Sequence, residues 1–413
     1  MKFRQVLVLL LVVALSLSVV VVHAQDSKVI KIASQSPLSG QQSVVGTGIR
    51  NGVELAIEQL SGPLTELGFT IEFVPFDDQA TPDVGVNNAQ LLVNDPAILA
   101  VIGHYNSGVA IPSSEVYDAN NLAMVSPANT NVNVTDRGLP TVNRICGRDD
   151  TQGAAGAAFA SGLEGVESVY VLHDTTAYGQ GVAEFFAKAA EEAGIVLLNL
   201  EGTTETANFE GVIQPILALD PDLIYFGGMF SQAGIFINQA RAAGYEGFFL
   251  GPDGFDSSDY SELAGDAGVG TYYTTVAAPA SFYADAAQFI EDYKAKFDVD
   301  PQPFAAQAYD SAGIALAGIA AAVEAAGGEV PTREAVAEAI RATEGYQGIT
   351  GNYTFDDNGD PEQATYVILE VASSDPADWG TNAVLDQFLA PSPLIAAAGE
   401  VTPEATAEAT PGA

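Results

Sequence analysis

Short apolar runs alternate along this chain with longer stretches of helical spacing. Val29–Ser34, Thr70–Phe76, Ile98–Ile102 and Ala123–Val125 are continuous or period-two apolar runs, each followed by a polar or proline-containing cluster, and each predicts a strand. In Gly46–Leu60 the residues Ile49, Val53, Ala56, Ile57 and Leu60 fall on one helical face. Thr81-Pro82-Asp83 opens another helix, with proline in the first turn where it is tolerated, and Ser107–Asn120 predicts a third. After a short apolar run, Val142–Ile145, the rhythm restarts. Helices Gly153–Leu163, Gly181–Ala193, Phe209–Leu219 and Ala233–Ala243 alternate with strands Ser168–His173, Ile195–Leu200, Leu223–Phe226 and Phe248–Leu250. Two of these helices stop at Ala-Gly, where glycine takes the left-handed conformation at little cost. Such alternation predicts α/β lobes built on parallel sheets with helices on both faces. Val142–Asp150 and Thr271–Val276 read as crossings between two lobes of similar plan. Helices Ala284–Phe297, Gln307–Ala326 and Thr332–Arg341 follow, then strands Asn352–Phe355 and Tyr366–Glu370 around the turn Asp356–Asp360.

The two ends differ in kind from this pattern. Lys2 and Arg4 precede the apolar run Val6–Val22, and Val22-His23-Ala24 offers small residues where a signal peptidase cuts. Residues 1–24 are therefore expected to be a cleaved leader. The alternative is an uncleaved anchor, since the run is close to the lower limit for a spanning helix. No cysteine stands near the cut, which excludes lipid attachment there. Residues 391–413 are expected to be disordered, because the stretch from Ala398 is a low-complexity repeat of Thr, Pro, Glu and Ala.

Charge narrows the partners. The 14 Lys and Arg stand against 53 Asp and Glu. A surface this acidic has no basic face for nucleic acid or for an anionic membrane, and it keeps copies of the chain apart. A lone cysteine, Cys146, cannot form an internal disulfide and reads as a small buried hydrophobe.

Candidate chemistry concentrates in Val101–Thr130, a strand–loop–helix–strand–loop unit. Its two loops, Gly103–Ser107 and Ser126–Thr130, follow neighbouring strands, and in open parallel sheets such loops converge on the ligand crevice. Hydroxyls and backbone N–H groups at a helix start suit a carboxylate. Catalytic signatures are missing: the chain has neither a phosphate-cradling P-loop, a complete dinucleotide fingerprint nor a nucleophile elbow. Beyond the leader only His104 and His173 remain as histidines, a thin basis for a base or metal pair. The chain reads as a binding protein with no cofactor, not an enzyme.

One family is matched by the order and spacing of several short motifs. They include Pro37-Leu38-Ser39-Gly40, Phe76-Asp77-Asp78, Val101-Ile102-Gly103-His104, Ser126-Pro127-Ala128, His173-Asp174 with Tyr178-Gly179, Tyr225-Phe226-Gly227-Gly228 and Gly251-Pro252-Asp253-Gly254. From about Val29 to about Val371 the chain resembles the substrate-binding proteins of ABC importers for leucine, isoleucine and valine, which have the type I periplasmic binding protein fold. The resemblance implies two doubly wound, Rossmann-like lobes joined by a three-segment hinge and closing on an amino acid. It implies an N-terminal lobe of residues 25–146 plus 277–351 and a C-terminal lobe of 147–276 plus 352–390. The hinge would lie near Ile145–Asp149, Thr274–Ala277 and Gly351–Phe355. It further implies an extracytoplasmic, monomeric protein that hands its ligand to an ABC permease.

By the same resemblance Ser107, Thr130 and the backbone at Ala128 hold the ligand's α-carboxylate, while Tyr178 and Asp253 meet its α-ammonium. Taken as residues alone, Ser107 could equally cap its helix, Asp253 could serve a turn, Tyr178 could pack and Thr130 could be plain loop. Around the side-chain pocket the chain departs from the family. Val45 stands where a tyrosine is common, Met229 replaces an aromatic, and Tyr105 and Asn106 replace smaller or less polar residues. Of these, Tyr105 and Asn106 put leucine-like specificity in question. Binders of amides, short peptides or aromatic acids, and the sensing domain of a receptor or regulator, are the alternatives.

Overall fold

In a computed structural model, which describes residues 28–398, the chain forms two sheets flanked by helices. The predicted leader lies outside the described residues. The first sheet takes β1 (Lys28–Ser36), β2 (Phe69–Asp77), β3 (Ile98–Gly103), β4 (Ala123–Ser126) and β5 (Val142–Arg144) in the order β2-β1-β3-β4-β5, all parallel. Every residue of β3 and β4 is buried, as a strand covered by helices on both faces requires. The covering helices include α1 (Ser43–Leu60), the short α2 (Gly62–Glu66), α3 (Pro82–Asn94) and α4 (Ser107–Asp118).

The second sheet follows the order β14-β13-β10-β9-β8-β6-β7. Its parallel part is β6 (Ser168–His173), β7 (Val196–Gly202), β8 (Leu223–Gly227), β9 (Phe248–Gly251) and β10 (Tyr272–Thr275). Helices α5 (Asp149–Gly162), α6 (Ala177–Glu192), α7 (Glu210–Leu219), α8 (Phe230–Ala242) and the short α9 (Ser258–Ala264) lie in the same half of the chain. The expected α/β architecture of two doubly wound lobes is what the chain adopts.

Residues 287–341 return to the first sheet as α10 (Ala287–Phe297), α11 (Ala305–Ala325) and α12 (Arg333–Arg341). α11 is alanine-rich and packs closely on α1 because both present small residues: a Cβ at Gly52 would stand 2.1 Å from the Ala305 carbonyl oxygen. A small hairpin, β11 (Tyr346–Gln347) with β12 (Asn352–Tyr353), precedes the last crossing. Then β13 (Gln363–Glu370) joins the second sheet antiparallel to β10, and β14 (Ala383–Pro391) adds its outer edge.

Three readings of the C-terminal part need correction. Asn352–Tyr353 pairs with β11, so the third crossing falls later than the expected boundary at 351/352. β14 was not foreseen, because its residues are mostly exposed and it pairs as an edge strand without an apolar run. The expected disordered tail from 391 instead begins with a short helix, α13 (Pro393–Ala398), and residues 399–413 lie outside the described residues.

Candidate functional site

In both sheets the chain winds in opposite directions from neighbouring central strands, β1/β3 in the first and β6/β8 in the second. The loops leaving the carboxyl ends of those strands open a crevice. The two crevices face each other, and the lobes touch across them: Asn131 Nδ2 donates to the Ala177 carbonyl at 2.7 Å.

The first wall is stitched together by Asn129. Its Oδ1 accepts from the His104 N–H at 2.9 Å and from the Ser126 hydroxyl at 2.7 Å, while its Nδ2 donates to the Tyr105 carbonyl at 2.9 Å. This ties the β3 loop, which leads to Ser107, to the β4 loop, which carries Ala128 and Thr130. Asn106, not Ser107, occupies the N-cap of α4, and it makes no side-chain cap bond. Ser107 is buried inside the first turn, and its Oγ accepts a long bond of 3.4 Å from the Asn131 N–H. Thr130 is fully buried, yet its hydroxyl has no hydrogen-bond partner within the chain.

On the second wall the start of α6 is fixed by Thr176, whose side chain accepts from the Gly179 N–H at 2.9 Å. That cap aims Tyr178 at a single helical turn, Asp253–Phe255, at the end of β9. The Tyr178 hydroxyl donates to Asp253 Oδ1 at 2.7 Å and accepts from the Gly254 N–H at 2.6 Å. Glycine is required at 254, where a Cβ would stand 2.4 Å from the Gly228 carbonyl oxygen. Burial pushes the Asp253 carboxyl up to about 6, with Tyr178 and Gln152 partly offsetting it.

Asp149, at the start of α5, forms the floor. It is fully buried, and neither carboxylate oxygen has a hydrogen-bond partner. Burial raises its pKa well above the ordinary value, Asp253 raises it further, and the nearby Thr130 hydroxyl, which lies outside hydrogen-bond geometry, opposes the shift. Asp149 and Gln152 were missed in the sequence, where Arg148-Asp149-Asp150 marked only a crossing. The signal available was an acidic pair at the point where the chain passes the base of the cleft.

Behind the floor, Arg144 and Arg148 close on Asp360, which belongs to the turn before β13. Arg144 Nε lies 2.5 Å from Asp360 Oδ1 and Arg148 Nη1 lies 2.8 Å from Oδ2. Burial would raise the Asp360 carboxyl, but the two guanidinium groups outweigh it and hold it below the usual range. Arg144 Nη1 also donates to the carbonyls of Asn129 and Asn131 at 2.9 Å each, so the first and third crossings jointly support the Thr130 loop.

The four residues that depart from the family pattern are buried or half-buried. Val45 is fully buried in the apolar core near the start of α1. Met229 is buried at the N-cap of α8. Asn106 donates to Gln42 Oε1 at 2.8 Å and leaves its own Oδ1 unpaired. Tyr105 packs edge-on against Phe304 at 5.7 Å, and its buried hydroxyl has no hydrogen-bond partner. Burial, with Asp253 and Asp256 adding to it, keeps this phenol protonated as a donor. Phe304 is another residue the sequence did not single out. It holds a left-handed φ of +68°, a strained conformation for an aromatic residue.

The two histidines serve separate neighbourhoods. His104 is fully buried, with Nδ1 at 3.0 Å from Asp78 Oδ2, while His173 Nδ1 accepts from the Thr175 N–H at 3.1 Å. Cys146 is buried, as expected of a small hydrophobe. No group of three or more metal-ligating side chains occurs among the described residues.

Comparison with known proteins places this geometry in context. A model of a periplasmic binding protein family matches residues 29–375. The chain is 32% identical over 342 residues to a Leu/Ile/Val-binding protein homolog of Brucella abortus, covering 83% of this chain and 90% of that one. It is 31% identical to the leucine-, isoleucine-, valine-, threonine- and alanine-binding protein of Pseudomonas aeruginosa, covering 84% and 91%. Among solved structures it is similar to the leucine-binding protein LivK of Thermotoga maritima, with a TM-score of 0.77, 29% identity and coverage of 87% and 98%.

Proposed function

The chain belongs to the periplasmic binding protein family, and from that premise we propose that it captures an amino acid outside the cytoplasm and delivers it to an ABC importer. The leader is removed on export. The lobes, residues 25–146 with 277–351 and 147–276 with 352–390 apart from the later third crossing, close by a hinge motion. Relatives named for branched-chain amino acids support an α-amino acid as ligand. The protein performs no chemistry on it.

The observation that carries this reading is the pairing of unlike walls. Ser107, Thr130 and the backbone at Ala128 offer donors to a carboxylate. Opposite them Asp253, oriented by Tyr178, offers a buried acceptor to an ammonium. Neither wall satisfies a zwitterion alone, so binding and closure are coupled. Tyr105, Asn106, Met229 and Val45 shape the remainder of the pocket.

Micromolar affinity corresponds to roughly −8 kcal/mol, and truncating one member of a buried charged pair costs about 2–5 kcal/mol. Asp253→Ala is therefore expected to weaken amino-acid binding at least tens-fold by calorimetry. Unchanged affinity would refute the clamp. Mass spectrometry of ligand retained on the purified protein identifies the amino acid directly.

A further inference from the structure

Beside the clamp lies a cavity of about 440 Å³ between the lobes. Its walls include Asp256, Ser258, Gln302, Phe304, Gln307 and Trp379. Two of its lining residues adjoin the clamp. Phe304 lines the cavity and packs against Tyr105, two residues before Ser107. Asp256 follows Asp253 by one turn, its N–H donating to the Asp253 carbonyl at 2.9 Å. A ligand held by Asp253 would need a side chain of lysine or arginine length, running past Tyr105 and Phe304, to enter the cavity.

Two buried lining residues, Asp256 and Gln307, keep spare acceptor capacity. Asp256 is 1% exposed and receives only neutral donors, Trp379 Nε1 at 2.8 Å and the Thr275 hydroxyl at 3.0 Å. A carboxylate has capacity for about four hydrogen bonds, so roughly half of it is unused. Gln307 is 3% exposed; its Nε2 donates to the Tyr283 hydroxyl, while its Oε1 has no partner. Gln302 Oε1 accepts from Ser258 at 3.2 Å. The acid at the rim, Asp300, is paired with Lys294 at 2.9 Å, whereas no lysine or arginine among the described residues pairs with Asp256. Burying a carboxylate with only neutral partners is costly, and a cation restores the balance. Trp379 and Phe304 also border the cavity, and an aromatic border favours a cationic group.

We propose that this cavity receives the cationic end, an ammonium or guanidinium, of a basic amino acid, with Asp256 and the Gln307 carbonyl as its acceptors. The proposal rests on the amino-acid reading above and narrows it: the preferred ligand is longer than leucine and ends in hydrogen-bond donors. A purely apolar side chain leaves Asp256 and Gln307 Oε1 unserved, and an aromatic acid would bring a second anion towards buried carboxylates.

Calorimetry of the wild-type protein with L-arginine, L-lysine and L-leucine provides the test, repeated on two variants. Asp256→Asn removes the charge, and Ala280→Phe fills the cavity from its wall without touching Asp256 or the clamp. Thermal melts identify any variant that has not folded. The expected result is arginine or lysine binding at least ten-fold tighter than leucine, with that ratio falling at least ten-fold in either folded variant. Leucine binding as tightly as both basic amino acids, or a ratio unmoved in a folded variant, overturns the inference and leaves the amino-acid reading standing. Binding of none of the three, with a non-amino-acid retained on the purified protein, overturns both.

Discussion

At the scale of single residues, the proposed clamp depends on atoms with little freedom to choose other partners. Tyr178 is the clearest case, since its one hydroxyl serves both Asp253 and the Gly254 N–H. Tyr178→Phe leaves two buried polar groups short of a partner, each worth about 1–3 kcal/mol. The variant is expected to lose on the order of 2 kcal/mol in urea unfolding and to bind amino acids more weakly. Wild-type stability together with wild-type affinity would show that the phenol merely packs. Ser107 and Thr130 differ from Tyr178 in having hydroxyls that the chain itself leaves weakly bound or unbound. That is the condition expected of groups kept for a ligand.

Among elements, closeness of backbone and side chain between the lobes is expected to govern the proposed closure. Gly181, in the first turns of α6, lies against Asn131 of the opposite lobe: a Cβ there would stand 2.7 Å from Asn131 Nδ2. Gly181→Ala is therefore expected to push the lobes apart and break the Asn131–Ala177 bond. Small-angle scattering in the presence of ligand should report a larger radius of gyration, and affinity should fall several-fold; identical scattering curves would rule this contact out as a closing device. The crossings depend on charge instead. Arg144 is wholly buried and joins Asp360 to the Thr130 loop. Arg144→Met strands part of that carboxylate and two carbonyls, and breaking a buried pair in this way costs about 3–5 kcal/mol. Chemical denaturation measures the loss, and a change under about 1 kcal/mol would contradict it.

Across the whole molecule, buried acids give stability a definite pH dependence. Asp253 is raised from its ordinary 3.8 to about 6 and Asp256 to about 7, in both cases chiefly by burial. Folding therefore favours their protonated forms. The stability they contribute is full below 3.8 and is lost as pH climbs through about 6 and about 7. Asp360 acts in the opposite sense: its contribution is present above 3.8 and lost as pH falls through its depressed value. The unliganded protein should thus be most stable at mildly acidic pH, on the order of pH 5, and lose a few kcal/mol by pH 8. Urea midpoints across that range test this, and a flat profile would disprove it. A cationic ligand reverses part of the loss by pairing with the ionised carboxylates.

The apolar rhythm of the chain determined its elements and sheet type, because a strand covered on both faces must be apolar throughout and a flanking helix must be apolar along one stripe. Ile98–Gly103 and Ala123–Ser126 were legible for that reason, and so were the loops carrying Ser107 and Thr130. The edge strand Ala383–Pro391 was not, since exposed residues carry no such constraint. Motif order identified Asp253 and Tyr178 as candidates. Only the tertiary structure decided that Asp149 is buried near Asp253, that Phe304 packs on Tyr105, and that Asp256 lines a cavity. These residues come from four separate segments, and local periodicity carries no information about which segments meet. Their chemistry arises from burial and from the missing partner, both of which exist only once the lobes have packed.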